Sequence, residues 1–339
     1  MALTLEKIAR LAGVSRSTVS RVVNDDPNVR DEVRQRIWKV IRETGYQPHA
    51  AARSLVTRRT QIIGVIIPES VTTLFTDPFF PLLLNGVTAA CNKNRYHLML
   101  SLFDGSEGPD GMYQRVLRSA YLDGVIVASA TVEDPLIPRL LRDDVPFVLV
   151  GRHPDKRVTY VDVDNVGGAR MATEHLIRLG HKRIATVAGP LDMLSAQDRL
   201  DGYRQALEAH GLPVDHALIA EGDYREGGGM AGAKKLLAAS PTAIFVASDI
   251  MAIGALKALR QEGMEVPRDI AIASFDDLPI ATAVQPALTT IRQPIDRLGP
   301  IAVQLLLDLV NCPLGSAVAP QRLLLPTELV IRGSCGVLQ

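Results

Sequence analysis

The stretch LEKIARLAGVSRSTVSRVVN, residues 5–24, decides the fold of the start of the chain. Its apolar residues recur at helical spacing on both sides of Gly13. A helix-turn-helix needs a small residue where its helices cross, a glycine in the turn and an apolar residue that locks the second helix down. Ala9, Gly13 and Val19 supply these three. The pattern therefore predicts a helix-turn-helix, and a generic three-helix bundle is the alternative.

Residues 4–45 are expected to form three short helices. Thr4 can cap the first helix, and Ser15 can cap the second, which runs to about Val23. The stretch NDDPN then predicts a loop. Gly45 is well placed to end the third helix.

The charge of the chain is divided unevenly. Residues 1–60 carry twelve Lys/Arg and six Asp/Glu, a net charge of +6, although the whole chain has 37 of each kind and a net charge of zero. The remaining residues therefore carry −6. A small basic head on a larger acidic body indicates that the head has a polyanionic partner.

The second predicted helix has side chains suited to the major groove of DNA. Arg16 and Ser17 lie on its first turn and Arg21 lies one turn later, and an arginine can bond guanine O6 and N7 together. Ser15, Thr18 and Asn24 are typical of phosphate contacts, which position a protein without specifying sequence. The alternative for the two arginines is that they are ordinary solvated charges.

The length and composition of the chain indicate a globular protein of more than one domain. A chain of 339 residues with 47% apolar residues is expected to form two or three domains with large cores. Its three cysteines are far apart and lack metal-ligand spacing, which favours a reducing, cytoplasmic compartment. We find no signal-peptide core at the N-terminus and no run near the ~20 apolar residues of a membrane span.

From residue 62 onward the pattern changes to alternating strands and helices. Continuous apolar runs indicate strands covered on both faces, as in parallel α/β sheets. The eight runs fall into two series: residues 62–68, 97–103, 124–129 and 146–151, then 183–189, 217–222, 243–248 and 270–275. Two such series predict two similar lobes. Short extended stretches at 161–164, 288–293 and 321–329 are expected to cross between them.

Polar residues follow several of these strands, where open α/β sheets bind ligands. They are Arg152, Asp223, Tyr224, Ser248, Asp249, Asp276 and Asp277, and Arg199 lies near the start of a helix after another strand. The common hydrolase and phosphate-loop motifs are absent. The glycines of GGGMAG, residues 227–232, have dinucleotide-site spacing but lie too far from the strand. We therefore expect a binding site and no enzyme.

Longer stretches strongly resemble the lactose/galactose-repressor (LacI/GalR) family of bacterial transcription regulators. The resemblance extends over essentially the whole chain. It is carried by TLEKIARLAGVSRSTVSRVVN, YQPHAAARSL, DNVGGARMATEHLIRLGHKRIATVAGP, RLDGYRQAL, ASDIMAIGAL, FDDLPIATAVQPALTTIRQP and LLLPTELVIRGS. One departure is Arg30, where the family usually has a capping serine, so that Asn28 or Asp31 is expected to cap the third helix.

The resemblance implies an α/β fold class with an N-terminal all-α helix-turn-helix head, a hinge helix and a two-lobed core like type I periplasmic-binding proteins, with parallel sheets. We predict a DNA-binding domain at 1–46, a hinge segment at 47–60, and an effector-binding and dimerisation domain at 61–339. Leu55 matches a leucine that wedges into the minor groove. The predicted DNA contacts are Thr4, Leu5, Ser15, Arg16, Ser17, Thr18, Arg21, Asn24, Tyr46, Ala52, Arg53 and Leu55.

The resemblance also implies an effector site between the lobes. Its predicted residues are Asp77, Phe79, Arg152, Arg199, Tyr224, Ser248, Asp249 and Asp276. Plainer alternatives exist for several positions. Asp277 is expected to cap the following turn, and Phe80 is expected to be core. Arg152 could form an interlobe ion pair, Asp249 could cap a helix, and Tyr224 could be a surface ring.

The chain is thus expected to be a cytoplasmic homodimeric regulator, with a repressor favoured, that binds pseudo-palindromic operator DNA. A sugar is the favoured effector, and a corepressor such as a nucleobase or sugar phosphate is the alternative. No cofactor, metal or membrane partner is expected. A solute receptor for transport would explain the core but not the basic head.

Overall fold

The computed structural model describes residues 3–23, 26–46, 59–67, 71–102, 121–128, 131–313 and 318–336. The chain divides into two compact units, residues 1–61 and residues 62–339. Among the described residues, no helix has the length and apolar character required to span a bilayer.

The first unit contains the three predicted helices: α1 (Leu5–Ala12), α2 (Arg16–Val23) and α3 (Asp31–Thr44). Thr4 caps α1 by accepting a hydrogen bond from the backbone N of Lys7 at 3.4 Å. Gly13 ends α1 with a φ of 63°, a conformation that an L residue adopts with strain. Ala9 and Val19 are 5% and 0% exposed. The helix-turn-helix prediction is therefore confirmed.

The start of α3 differs from the sequence prediction. Arg30 occupies the N-cap position and its side chain makes no capping hydrogen bond. The prediction that Asn28 or Asp31 caps this helix is wrong. Asp31 and Glu32 instead place two carboxylates in the first turn, where the helix dipole favours negative charge.

Twelve strands among the described residues of the second unit form two six-stranded sheets. The strands are β1 (Ile62–Ile67), β2 (His97–Leu102), β3 (Gly124–Ala128), β4 (Phe147–Val150), β5 (Tyr160–Val163), β6 (Ile184–Ala188), β7 (Ile219–Glu221), β8 (Ala243–Val246), β9 (Ala271–Asp276), β10 (Thr289–Arg292), β11 (Arg322–Leu325) and β12 (Glu328–Val330). Their orders are β11-β5-β4-β3-β1-β2 and β12-β10-β9-β8-β6-β7. Every pair is parallel except β10 with β12. The two-lobed parallel α/β prediction is confirmed.

Helices cover both sheets. They are α4 (Val71–Thr76), α5 (Phe79–Lys93), α6 (Leu136–Arg142), α7 (Asn165–Arg178), α8 (Leu194–Ala209), α9 (Glu226–Leu237), α10 (Asp249–Gln261), α11 (Ile280–Ala283) and α12 (Ile295–Val310). The β1 sheet with α4–α6 and α12 forms the first lobe. The β6 sheet with α7–α11 forms the second lobe, and the buried core is almost wholly aliphatic.

Within the described residues, the chain crosses between the lobes at three places. It passes from β5 to α7 at Asp164, from β10 to α12 at Gln293 and Pro294, and from β11 to β12 at Pro326 and Thr327. These are the three extended stretches that the sequence predicted as crossings. Two of them contribute side chains to the cavity described below.

Two strand predictions need correction in detail. The run at 217–222 forms a strand only over β7, because Asp215 caps a 3-10 turn at His216–Leu218 by accepting from the backbone N of Ala217. The run that forms β2 was expected to be covered on both faces. It lies instead at the edge of its sheet and leaves Leu100 38% exposed.

The glycines of GGGMAG lie on α9, which begins at Glu226 after a four-residue connection from β7. A Cβ at Gly229 would lie 2.0 Å from the backbone O of Met251 on α10. Gly229 thus allows α9 and α10 to touch through their backbones, whereas a Cβ at Gly232 would meet the side chains of Val187 and Ala220 on the sheet. The spacing that resembles a dinucleotide site reflects helix packing.

Candidate DNA-binding and effector sites

Hydroxyl groups cluster at the start of α2. Ser15 Oγ accepts a hydrogen bond from the backbone N of Thr18 at 3.1 Å, which makes Ser15 the predicted cap. It also lies 2.7 Å from Ser17 Oγ and 2.8 Å from Thr18 Oγ1. A helix N-terminus with exposed hydroxyls and a partial positive charge is suited to phosphate.

The two predicted base-reading arginines are exposed. Arg16 and Arg21 have 69% and 64% of their side chains exposed. Arg16 Nη1 lies 3.2 Å from Glu6 Oε1, and Arg21 Nε lies 3.9 Å from Asp26 Oδ2. The pKa of Glu6 is lowered by hydrogen bonds at its own backbone and from Thr4, and further by the Arg16 charge. Exposed pairs of this kind contribute little stability, so DNA can displace them.

The other predicted DNA contacts fall in different environments. Thr4 is exposed and caps α1, whereas Leu5 is half-buried against the head core. Tyr46 is only 6% exposed and packs in that core, and burial raises its pKa. The structure therefore gives Tyr46 a packing role. Asn24, Ala52, Arg53 and Leu55 lie outside the described residues.

A cavity lies between the lobes of the second unit, at the carboxyl ends of the strands. Seven of the eight predicted effector residues line it: Asp77, Phe79, Arg152, Arg199, Tyr224, Ser248 and Asp276. Sequence reasoning missed four polar lining residues, which are Asp162, Asn165, Ser195 and Gln293. Phe80 is 4% exposed and lines the cavity as well, so the expectation that it belongs to the core describes only part of its environment.

Arg199 lies at the centre of the cavity wall. Its Nε donates to Asn165 Oδ1 at 2.9 Å, and its Nη1 donates to the backbone O of Ala247 at 2.6 Å and to Asp276 Oδ1 at 3.1 Å. The Phe275 ring lies below the guanidinium, with 3.7 Å between Cζ and the ring centroid. The guanidinium is therefore fixed in orientation by three hydrogen bonds and an aromatic ring.

Asp276 faces Arg199 from the end of β9. Its Oδ1 also accepts from Gln293 Nε2 at 2.7 Å. Burial raises its pKa to about 8, against the opposing effect of Arg199, and the nearby carboxylates of Asp249 and Asp77 raise it further. Its φ of 117° lies in a region that non-glycine residues rarely adopt. Such strain is typical of functional sites that the surrounding structure holds in place.

Asp249 does not line the cavity. Its Oδ1 accepts from Ser274 Oγ at 2.5 Å and from Thr290 Oγ1 at 2.7 Å, and its Oδ2 accepts from the backbone N of Leu278 at 2.8 Å. Both oxygens are thus occupied by protein donors, and burial raises its pKa to about 6. The helix cap is Ser248, whose side chain accepts from the backbone N of Met251, so the expected cap by Asp249 is also wrong.

Tyr224 forms one wall of the cavity. Its backbone has a φ of 60°, and its hydroxyl lies 3.2 Å from Ser195 Oγ. The ring lies against the backbone of Gly189, where a Cβ would come within 2.4 Å of Tyr224 Cζ. Burial raises the pKa of Tyr224. The ring is therefore held in place, and it is no free surface group.

Three further arginine–aspartate ion pairs lie at or near the cavity. Arg152 from the first lobe makes a two-pronged ion pair with Asp198 on α8 of the second lobe, so it both lines the cavity and bridges the lobes. Asp277 accepts from Arg292 at 2.7 Å and from Arg332 at 2.5 Å. The expectation that Asp277 caps the next turn is wrong, since Pro279 holds that N-cap position.

Comparison with known proteins now identifies the family. A family model for bacterial regulatory proteins of the lacI family matches residues 4–49, and a model for a periplasmic binding protein-like domain matches residues 173–335. The chain is 40% identical to the HTH-type transcriptional regulator CelR of Thermobifida fusca over 98% of each sequence. The chain belongs to the LacI family of bacterial regulatory proteins.

Other members of the LacI family show the same full-length likeness. The ribose operon repressor of Escherichia coli K12 is 35% identical over 98% of this chain and 99% of its own length. The structure of a CelR–cellobiose complex matches with a TM-score of 0.78 and 37% identity, over 98% of this chain and 99% of the other. The lac repressor dimer bound to operator and the anti-inducer ONPF matches with a TM-score of 0.84 and 29% identity over 99% of each chain. The chain is thus a LacI-family transcriptional regulator.

Proposed function

We propose that this protein is a dimeric repressor that binds a pseudo-palindromic operator and releases it when a neutral sugar binds between its lobes. Residues 1–46 bind DNA, residues 47–60 form the hinge, and residues 61–339 hold the effector and dimerise. The exposed Arg16 and Arg21 on α2 are the base readers, and the hydroxyls of Ser15, Ser17 and Thr18 bind phosphates. Leu55 acts as the minor-groove wedge.

The observation that carries the sugar assignment is the fixed Arg199–Asp276 pair in a cavity flanked by aromatic rings. A guanidinium and a carboxylate side by side can bond two neighbouring hydroxyls of a sugar. Phe79 and Tyr224 can cover the apolar face of the ring. CelR, with cellobiose in its solved complex, supports the same class of effector.

Operator selection followed by effector titration tests this function. A binding selection from random duplexes with the full-length protein yields the operator, and fluorescence anisotropy measures its affinity. Cellobiose, D-ribose and D-glucose are then added in turn. We expect at least one of them to weaken operator binding. A sugar that strengthens operator binding would contradict release and indicate corepression.

Variants connect that response to the cavity. Arg199→Ala and Asp276→Ala should lose the sugar response and keep operator affinity, because both residues lie in the second unit. Arg204→Ala is the matched control, since Arg204 lies on the same helix and pairs with Asp201 at the surface. If both cavity variants respond as the wild type does, the cavity is not the effector site.

A further inference from the structure

A single row of hydrogen bonds joins two of the three lobe crossings along the wall of the cavity. Asn165, at the first crossing, donates from Nδ2 to Asp162 Oδ1 at 3.2 Å. Arg199 connects Asn165 to Asp276, and Gln293 at the second crossing donates to the same Asp276 oxygen. A ligand that bonds to this row touches the segments about which the lobes are joined.

Asp162 lies at one end of this row of hydrogen bonds, and one of its two carboxylate oxygens has no partner. Its Oδ1 also accepts from the backbone N of Val163 at 2.8 Å, whereas its Oδ2 is buried and has no hydrogen-bond partner. Among the described residues, the only other buried side-chain atom in this state is Thr186 Oγ1, and Thr186 does not line the cavity. Native proteins rarely leave a buried oxygen unpaired, because the loss of water is then not compensated.

The charges around the cavity limit what the missing partner can be. Asp77, Asp162 and Asp276 line the cavity together with Arg152 and Arg199, and Asp198 lies beside it as the partner of Arg152. Arg152 is already paired with Asp198 in two contacts. A pKa of about 8 keeps Asp276 mostly protonated at neutral pH, so the excess negative charge that an anionic ligand would meet comes from Asp77, Asp162 and Asp198. A neutral ligand that donates hydrogen bonds could instead bind the unpaired Oδ2 atom of Asp162.

We propose that Asp162 is a specificity-determining residue whose Oδ2 accepts a hydrogen bond from a hydroxyl of the neutral effector, and that this site disfavours phosphorylated sugars. This proposal rests on the proposed sugar-responsive function. Burial raises the pKa of Asp162 to about 6, and Asp198 raises it while Arg199 and the hydrogen bonds lower it. The Oδ2 atom is buried and lacks a hydrogen-bond partner, so a hydroxyl that donates to it should contribute strongly to the binding free energy.

The first arm of the test needs no known ligand. Asp162→Asn and the control Asp164→Asn are made in the full-length protein, and thermal unfolding is measured without ligand at pH 8. Asp164 is exposed and caps α7, and asparagine caps equally well. Because Asp162→Asn removes an ionised buried group, its Tm should rise by about 2 °C or more, with the control unchanged. A Tm at or below that of the wild type makes Asp162 a structural residue and overturns the proposal.

The second arm measures binding by calorimetry with cellobiose, D-ribose, D-glucose and D-glucose 6-phosphate as probes. The neutral sugar that binds the wild type best should bind Asp162→Asn about 10- to 100-fold more weakly, as expected for a lost hydrogen bond to a charged group. Equal affinities would overturn the assignment, and so would tighter binding of glucose 6-phosphate than of glucose. If none of the neutral sugars binds the wild type, the proposed sugar effector fails, and the Tm comparison still decides the role of Asp162.

Discussion

Arg16 is exposed and forms a weak ion pair with Glu6. Its pair with Glu6 is open to solvent, so the guanidinium can leave it at little cost when a guanine is available. We expect Arg16→Ala to flatten base preference at one position of each half-site, with a loss of ~1–3 kcal/mol there. A binding selection compares this variant with Arg36→Ala, a variant of an exposed arginine on α3. Unchanged base preference would remove Arg16 as a reader.

The buried carboxyls of the cavity make the ligand-free protein sensitive to pH. The pKa of Asp162 is raised to about 6 and that of Asp276 to about 8, so the folded state binds protons more tightly than the unfolded chain between pH 4 and 8. The free energy of unfolding should therefore fall as the pH rises from 7 to 9, above the range in which His153, His175 and His181, whose pKa values burial lowers, act in the opposite direction. Urea denaturation should show this slope, and Asp276→Asn should flatten its upper part. A stability that rises over this range would contradict the protonation of these groups.

Arg152, Tyr224, Ser248 and Asp276 could be predicted from their positions at strand ends, whereas Asp77 and Phe79 were predicted from the family resemblance. Asp162, Asn165 and Gln293 were missed because they lie at crossings, and the sequence shows crossings only as short extended stretches. Asp249 follows a strand in the same way as Asp276, yet Ser274 and Thr290 surround it. Those two partners come from other strands, and local sequence carries no signal of such pairing.

At the level of elements, the packing of α9 on α10 depends on missing side chains. A Cβ at Gly229 would overlap the Met251 backbone, whereas a Cβ at Gly227 on the same helix would meet nothing within 4 Å. We expect Gly229→Ala to destabilise the protein by roughly 1–3 kcal/mol through overpacking. Gly227→Ala should be neutral or stabilise by up to ~1 kcal/mol. Urea denaturation measures both, and equal effects would contradict backbone contact between the helices.

The kind and order of elements were predictable, but several ends and edges were not. Continuous apolar runs correctly indicated parallel strands, yet β2 has the same pattern at a sheet edge, where one side is less covered. The strand β7 is short because a side chain before it, Asp215, folds the chain into a turn. The pattern of apolar residues predicts which residues are buried. It does not report which strand ends a sheet.

At the scale of the whole molecule, the proposed regulation links two ligands. If a sugar lowers operator affinity by some factor, operator DNA must lower sugar affinity by the same factor. Calorimetry with the sugar that binds most tightly should therefore give a weaker affinity in the presence of saturating operator duplex than in its absence. The duplex with a scrambled operator is the control. Equal sugar affinities with operator and scrambled duplex would show that the two sites are not coupled.

The three crossings also set the order in which the protein can be completed during synthesis. The first lobe begins with β1, yet its sheet receives β11 and its core receives α12 only after the second lobe has been made. Leu306 and Val310 of α12 lie against Gly124 of β3. During synthesis the sheet of the first lobe therefore remains partly uncovered until residues 295–325 have been made. A chain truncated before residue 295 would expose the apolar surface of that sheet and would be prone to aggregate.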